Sequence, residues 1–579
     1  MQNPRLMYLR SRTITRTLLA TLLAGVSQPY AAPKTGDFGG VTVEGSESQV
    51  PSTVAETPAQ RDARMAWWRE AKFGMFIHWG VFSVPARNGE WVMRRETMPV
   101  DTYRAFTKDF TASNYDPAAW AALAKEAGMK YVVITAKHHD GFALYDSAVS
   151  NWDAERDLLG PLATAARAQG LKFGLYYSHA QDWVNPGGAK YSMKAGDGWD
   201  PAHKGDYDTY LRDIALPQTR EILTRYNPDI LWWDTPVDIT PARAKPFHDL
   251  LALRPGIISN NRLGGGYKGD ALSPEQYVPV TGYSGDWETC MTIGYAWGYT
   301  AKDSHFKSTA TLVRKLSEIA SKGGNLLLNV GPKPDGTIPE VFVDRLRGVG
   351  AWLRVNGESI YGTKAGPFPY LSYGFATRKA NRLYLQVFDW PADGKLNIPL
   401  VSPVKSARIL TAPDKSLAIA RESGRIVVTV PETSPDPIAG VVVLDLDGEP
   451  VVRPLPTAGA VATSTENPAN AAKVFDGTGS GRWRAPDKVR KAVLEIALAQ
   501  PETLSAVGLD EPDVWPRIKQ SYQLEALVGD AWTHLASGST DGHGFKKAFR
   551  PVQAQQLRLT MSCEGGAPGA AELQLYRPE

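Results

Sequence analysis

Between Pro58 and Gly362, short apolar runs alternate with stretches of helical spacing, and this alternation limits the possible folds more than any other feature of the chain. The strand-like runs are Phe73–His78, Tyr131–Ala136, Phe173–Ser178, Ile230–Asp234, Gly256–Asn260 and Asn325–Val330. Between and after them lie stretches with helical periodicity: Pro117–Ala127, Leu158–Gln169, Tyr207–Tyr226, Pro241–Leu253, Thr309–Ser321 and Val341–Asn356. Thr240 is placed to cap one of these helices, with Pro241 at its first position, where a missing N–H costs nothing. Strands that are apolar throughout and separated by helices are the pattern of βαβ units covered on both faces. Further units hidden in the Trp-rich stretch 283–300 would bring the α/β region to a (β/α)8-like barrel over 58–365. A doubly wound open sheet would want a glycine-rich phosphate turn after the first strand, and FGMFIHWG has none.

Beyond Gly362 the period changes. Arg382–Phe388, Ala407–Leu410, Arg425–Val430 and Gly440–Leu446 are short strands between Gly, Pro and Asp turns, which predicts a β-sandwich over 366–453. A Pro-, Ala- and Thr-rich linker is expected over 454–466. A second all-β sandwich module is expected over 467–579, with strands including Ala492–Ala497, Tyr522–Leu527 and Gln556–Met561. At the other end, Arg5, Arg10, Arg12 and Arg16 precede the apolar run Thr17–Val26 and the small residues Ala31 and Ala32. That order predicts a secretory signal over 1–32, then a flexible segment over 33–57, and an exported protein, periplasmic or secreted. The apolar run is too short to span a bilayer comfortably. The two cysteines, Cys290 and Cys563, make neither a disulfide framework nor a zinc spacing and are expected to be unpaired thiols. Lys and Arg number 64 against 61 Asp and Glu, which argues against a nucleic-acid partner. The 17 Trp fit a sugar-binding surface, because a pyranose C–H face packs well on an indole, but they fit a large core equally.

In a parallel barrel, chemistry collects where strands end. The strand ends here are His78-Trp79-Gly80, Lys137-His138-His139-Asp140, Tyr176-Tyr177-Ser178-His179, Trp232-Trp233-Asp234 and Asn260-Asn261-Arg262, with Glu90-Trp91 in the loop after the first strand. Four of nine histidines fall at these ends, too many for satisfied core residues alone. Metal binding by His78, His138, His139 and a carboxylate is one reading, but neighbouring histidines on an extended strand should point to opposite sides. Carbohydrate chemistry is the other. Glycoside hydrolysis needs one carboxylate as nucleophile or base and a second, protonated group as acid. Asp234, the lone acid at the tip of an apolar strand, is the nucleophile candidate. Glu275 and Glu288 are both acid candidates, and the pattern does not choose between them. A lectin built on the same frame would explain the aromatics without needing Asp234.

Taken together, FGMFIHWG at 73–80, GEW at 89–91, KHHDGF at 137–142, GLYYS at 174–178, DILWWD at 229–234, SNNR at 259–262, DWETC at 286–290, WGY at 297–299, GGNLLLNVGPKPDG at 323–336 and NGESIYGT at 356–363 resemble the α-L-fucosidases of glycoside hydrolase family 29. The resemblance implies an exo-acting retaining enzyme that needs no cofactor and no metal and acts on fucosylated oligosaccharides or glycoprotein glycans. It implies Asp234 as nucleophile and His78, Glu90, Trp91, His138, His139, Tyr177, Trp232 and Arg262 as fucose contacts, with Trp232 beside the C5 methyl group. It favours Glu275 as acid/base, with Glu288 the alternative. It also implies a separation of about 5–5.5 Å between the two catalytic carboxyl groups. The chain departs from many relatives by having Thr235-Pro236 where they have Gly after the nucleophile, a change that could reshape the aglycone side of the site. The last module resembles discoidin-type, galactose-binding-like sandwiches through AAKVFDG at 471–477, Trp483, Arg517-Ile518 and ELQLY at 572–576.

Overall fold

The computed structural model describes residues 56–578 except 191–197, 423, 478–480, 512–518 and 541. The expected signal and nearly all of the expected flexible segment, as well as Arg517-Ile518, lie outside the described residues. Among the described residues no helix is long and apolar enough to cross a membrane.

The first region is a curled parallel sheet of seven strands: β1 Phe73–Ile77, β2 Tyr131–Lys137, β3 Lys172–Tyr177, β4 Ile230–Trp233, β5 Ile258–Ser259, β6 Glu288–Thr292 and β7 Asn325–Val330, in the order β5-β4-β3-β2-β1-β7-β6. Around it pack the helices α1 Pro58–Ala71, α2 Pro117–Glu126, α3 Leu159–Ala168, α4 Leu216–Tyr226, α5 Pro241–Leu250, α6 Thr309–Ser321 and α7 Glu340–Asn356. Every expected strand of this region is present, and β6 is added from the Trp-rich stretch. The two edges are joined through residues 271–275 by isolated parallel bridges, Asn260–Ala271, Leu272–Trp287 and Glu275–Cys290. No continuous eighth strand forms there. Gly264, Gly265, Gly266 and Gly269 all take positive φ, and Pro274 has no N–H to give a ladder. The (β/α)8-like barrel expected from the alternation takes the form of a curled sheet of seven strands closed by a bridged segment.

The period-2 alternation of the strands sorts their side chains into two apolar clusters. Phe76, Tyr131, Val133, Tyr176, Ile230, Trp232, Ile258, Cys290 and Leu327 pack inside the curl, with Met65, Trp68 and Ala71 of α1 against them. Met75, Ile77, Ile134, Leu175, Tyr177, Leu231, Trp233 and Leu328 face the helix layer. Gly74 permits this interior: a Cβ there would lie 2.3 Å from the Tyr131 ring. Helix starts follow the expected chemistry. Thr240 Oγ1 accepts from Arg243 N, and Thr57 forms a capping box with Gln60 ahead of Pro58; such caps each contribute about 1 kcal/mol. The long helix expected over Tyr207–Tyr226 is interrupted by a π-turn at Leu211–Ala215. Pro217 lacks the N–H that an unbroken ladder would use, and the wider turn accommodates it.

From Lys364 on, the regular elements of the described residues are β-strands apart from a 3-10 helix at Pro468–Phe475. A six-stranded antiparallel sheet and a three-stranded one enclose Leu383, Leu385, Val428, Val442 and Leu444, as the expected sandwich requires. The 454–466 stretch is not purely a linker, because Val461–Thr463 pairs with Glu495–Ala497 as an edge strand of the last module. That module is built on two long strands, Lys491–Asp510 and Phe545–Ser562, with Trp483, Leu494, Leu524, Leu559 and Leu573 in its core. Cys290 and Cys563 are both buried and free.

Candidate active site

The C-terminal ends of the strands bring most of the expected residues together. Asp234 follows directly on β4. Its Oδ1 accepts from Arg262 Nη1 at 2.8 Å and its Oδ2 from the Tyr176 hydroxyl at 2.7 Å, while His139 Nε2 lies 3.6 Å from the same Oδ2. Burial opposes the charge of this carboxylate, but the Arg262 ion pair, its hydrogen bond and the Tyr176 hydroxyl outweigh it, and Asp234 is held below the ordinary carboxylate range. The other arm of the Arg262 fork, Nη2, lies 3.0 Å from Glu275 Oε2 and donates to the Ser273 carbonyl at 2.9 Å. One guanidinium thus grips both carboxylates. Its plane also lies over the Trp232 ring, 4.7 Å from the centroid.

The histidines gather beside Asp234. His78 follows β1, with Nδ1 2.7 Å from Asn329 Oδ1. His138 stacks on Tyr176 with ring centroids 5.3 Å apart and the planes 6° from parallel, and its Nδ1 is buried without a hydrogen-bond partner. His139 has Nδ1 2.6 Å from Ser178 Oγ and Nε2 3.2 Å from Thr235 Oγ1. Burial drives all of them toward the neutral form: His78 is pushed down to about 4, and His138 and His139 well below the usual imidazole value. At neutral pH they are hydrogen-bonding groups rather than cations.

Adjacent histidines do not point apart here. The register slips between Thr135 and Lys137, and β2 ends at Lys137, so strand alternation no longer governs the next two residues. The rings of His138 and His139 sit 4.2 Å apart. Lys137 turns away, and its ammonium, fully buried, meets Asp182 at 3.2 Å. Ligand atoms of His138, His139 and Asp234 lie within 4.8 Å of one another, so their positions alone suit a cation. The charge balance does not favour one: Arg262 already neutralises Asp234, and a divalent ion would have to displace or repel a guanidinium 2.8 Å from its only anionic ligand.

Glu90 and Trp91 sit on the short turn Gly89–Trp91. The Glu90 carboxylate is buried and accepts from Gly298 N at 3.0 Å, and burial pushes its pKa up. The Trp91 ring packs edge-on against His139, 4.8 Å between centroids. Trp232 stacks near-parallel on Tyr176 at 5.8 Å.

Two of the expected residues lie elsewhere. Tyr177 faces the helix layer and donates to Gln218 Oε1 of α4 at 2.8 Å; the tyrosine that meets Asp234 is its neighbour, Tyr176. The register could have shown this, since Tyr176 pairs with Trp232, two residues before Asp234, so all three share a face. Glu288 is the first residue of β6, paired with Asn325, the first of β7, and it accepts from the hydroxyl of Tyr131, the first of β2. It belongs to the opposite end of the curl from Asp234, under α1, where burial pushes it up to about 7. Asn329, which orients His78, and Trp297, whose ring lies 5.1 Å from His78, are not among the expected contacts; Asn329, a polar residue one position before the end of β7, carries a strand-end signal that could have found it, whereas Trp297 lies on no strand.

Thr235 needs its own account. It has φ +45°, a left-handed conformation that a β-branched residue adopts only at a cost of about 1–2 kcal/mol. Its carbonyl accepts from Val237 N at 2.7 Å and its hydroxyl meets His139, so the turn behind Asp234 is fixed from both sides.

Comparison with known proteins identifies the family. The family profile described as Alpha-L-fucosidase matches residues 41–358. An alpha-L-fucosidase of Branchiostoma floridae is 35% identical over 413 residues, covering 64% of this chain and 89% of that protein. The solved alpha-L-fucosidase isoenzyme 1 of Paenibacillus thiaminolyticus superposes with a TM-score of 0.62 at 38% identity, covering 67% of this chain and 99% of that one. A GH29 alpha-L-fucosidase of Bacteroides thetaiotaomicron, captured as a covalent intermediate with 2-fluoro-fucosyl fluoride, gives 0.60 at 27% identity over 67% of this chain and 97% of its own. With the strand-end site and more than half of its length matched to that profile, the chain belongs to the alpha-L-fucosidase family of glycoside hydrolases, GH29.

Proposed function

We propose that the protein is an exo-acting retaining fucosidase that releases terminal L-fucose from fucosylated oligosaccharides or glycoprotein glycans, with Asp234 as nucleophile and Glu275 as acid/base. The observation that carries this reading is the Arg262 fork, which reaches Asp234 with one arm and Glu275 with the other. Asp234, kept ionised, attacks the anomeric carbon while Glu275, which takes up a proton once the bound substrate separates it from Arg262, gives that proton to the departing glycosidic oxygen. The aglycone leaves as an alcohol and the sugar remains as an ester on Asp234. Water, deprotonated by Glu275, then attacks the same carbon and returns the carboxylate, so configuration is inverted twice and retained overall. The Bacteroides relative captured as a covalent intermediate supports the ester. Glu288 is not given the acid role, because it sits under α1 in contact with Tyr131.

The neutral imidazoles suit ring hydroxyls. His138 Nδ1 is left without a hydrogen-bond partner, and the half-buried Trp297 beside His78 offers an apolar face for the C5 methyl side. An exported protein, and a discoidin-type role for the last module in holding glycans, belong to the same proposal, supported by the leader Arg5–Ala32 and by the all-β build around Trp483.

The test is to incubate the enzyme with 2-fluoro-fucosyl fluoride and map the labelled peptide. A single fucosyl adduct on Asp234, with α-fucose as the first anomer seen by NMR during turnover of an aryl fucoside, is the expected result. β-Fucose appearing first, or a label on any other carboxylate, would overturn it.

A further inference from the structure

The loop that leaves Glu275 is held from two sides. On the barrel side, Gln276 takes φ +64°, donates from its N–H to the Cys290 carbonyl at 2.9 Å, and accepts through Oε1 from Thr292 N at 3.2 Å. On the other side, the loop meets the C-terminal β-module. Asp510, the last residue of the long strand Lys491–Asp510, lies buried with its carboxylate on the loop. Its Oδ1 accepts from Val280 N at 2.6 Å, its Oδ2 from Thr281 N at 2.8 Å, and the Thr281 hydroxyl donates to the same Oδ2. Two residues back on the strand, Gly508 makes room for this approach, since a Cβ there would lie 3.0 Å from Val280 Cγ1. Further along the module, the His543 ring packs on Tyr277 with centroids 4.9 Å apart. Tyr277 is two residues from Glu275.

Three donors converging on one buried carboxylate form a specific clamp rather than incidental contact between modules. Charge-assisted hydrogen bonds of this kind are roughly twice as strong as neutral ones. A buried carboxylate is retained only where its partners are in place, so the clamp and the loop conformation depend on each other. The loop in turn runs directly into the residue assigned as acid/base, whose task is sensitive to small displacements.

We propose that the C-terminal β-module is a working part of the active site, in which Asp510 acts as a positioning residue that clamps the Val280–Thr281 turn and thereby sets the approach of Glu275 to the glycosidic oxygen. This rests on the assignment of Glu275 as acid/base. It extends that assignment to a residue more than two hundred positions away in a different module.

The role has a signature that loss of stability does not share. Departure of a good leaving group, such as 2,4-dinitrophenolate, needs no proton from the enzyme, whereas departure of a poor one does. The full-length Asp510→Ala and Thr281→Val variants are compared with wild type and with Glu275→Gln on 2,4-dinitrophenyl and 4-methoxyphenyl fucosides. Expected for Asp510→Ala is a loss of about tenfold or more in kcat/KM on the 4-methoxyphenyl substrate with less than about threefold on the dinitrophenyl one. Thr281→Val, which removes a single donor and keeps the module's own charge, should show the same pattern in weaker form and remains informative if Asp510→Ala fails to fold. Equal losses on both substrates, or no loss in either variant, overturn the clamp. If Glu275→Gln itself lacks the leaving-group pattern, the assignment of Glu275 falls and the clamp with it. If Glu275→Gln shows the pattern and the two clamp variants do not, only the clamp falls.

Discussion

Two carboxylates, the half-buried Asp234 and the buried Glu288, one at each end of the same curled sheet, have been driven in opposite directions. Asp234 at the strand tips is held below the ordinary carboxylate range, and Glu288 at the strand bases is pushed up to about 7. Burial acts on both and favours the neutral acid in both. What separates them is the neighbour: Asp234 has the Arg262 guanidinium and the Tyr176 hydroxyl, whereas Glu288 has the Tyr131 hydroxyl and no cation at hydrogen-bonding distance among its described contacts. Depth alone therefore does not set the charge; the partner decides whether such a group is held as an anion or driven toward the protonated acid.

The largest effect that would break this contrast is on turnover. Asp234→Asn should fold and lose about 10⁴-fold or more of kcat on an aryl fucoside, the scale seen when a nucleophile is removed. Glu288→Gln should retain activity within about tenfold, because hydrogen bonding alone is altered at a distance from the reacting centre. A Glu288→Gln enzyme as dead as Asp234→Asn, measured by stopped assay at equal concentration, would erase the distinction.

Next in size is the consequence of removing the partner. Arg262→Met takes away the cation that keeps Asp234 ionised, so the Asp234 pKa rises and the acidic limb of the kcat/KM profile should move up by about 1–3 pH units. The peak rate should fall by about 10²-fold or more, since a preorganised charge is lost from the site. An acidic limb that stays in place would mean that Arg262 does not set the charge on Asp234.

The smallest effect is on stability. The folded pKa of Glu288 lies above its unfolded value, so the native protein binds the extra proton between about pH 4.5 and 7. The native state is then progressively disfavoured as pH rises through that window, and the deficit is complete above it. Glu288→Gln, similar in shape and always neutral, should gain thermal stability relative to wild type as pH is raised from about 5 to 8, by a few degrees. A difference in Tm that is flat with pH would show that Glu288 is not the protonated core acid described here.

Much of the frame was legible because strand and helix periods are local. Each apolar run from Phe73–His78 to Asn325–Val330 formed its strand, and three of the four strand-end histidines, His78, His138 and His139, converged, whereas His179 packs on Trp233 and Phe247. What escaped the sequence depended on parity and on distance along the chain. Tyr176 and its neighbour Tyr177 lie one residue apart, enough to exchange the site for the helix layer. The bulge before Lys137 cannot be read from KHHDGF, and it is what allows both imidazoles to reach the cavity. Glu275 and Glu288 look alike in sequence, thirteen positions apart, because nothing local says that a strand will start at the second and carry it to the floor of the sheet. The clamp from Asp510 had no local signal at all, since its partners at Val280 and Thr281 are brought to it only when separate modules dock.

The left-handed turn at Thr235 carries one last implication. A residue one bond beyond the proposed nucleophile is kept in an unfavourable backbone well by a hydroxyl latch on His139, so the turn beside Asp234 is rigid by construction. Drift at this single codon would loosen or re-contour the vestibule while the two acids and their shared arginine stayed where they are, which makes it the cheapest route by which descendants of this chain could change what they strip fucose from.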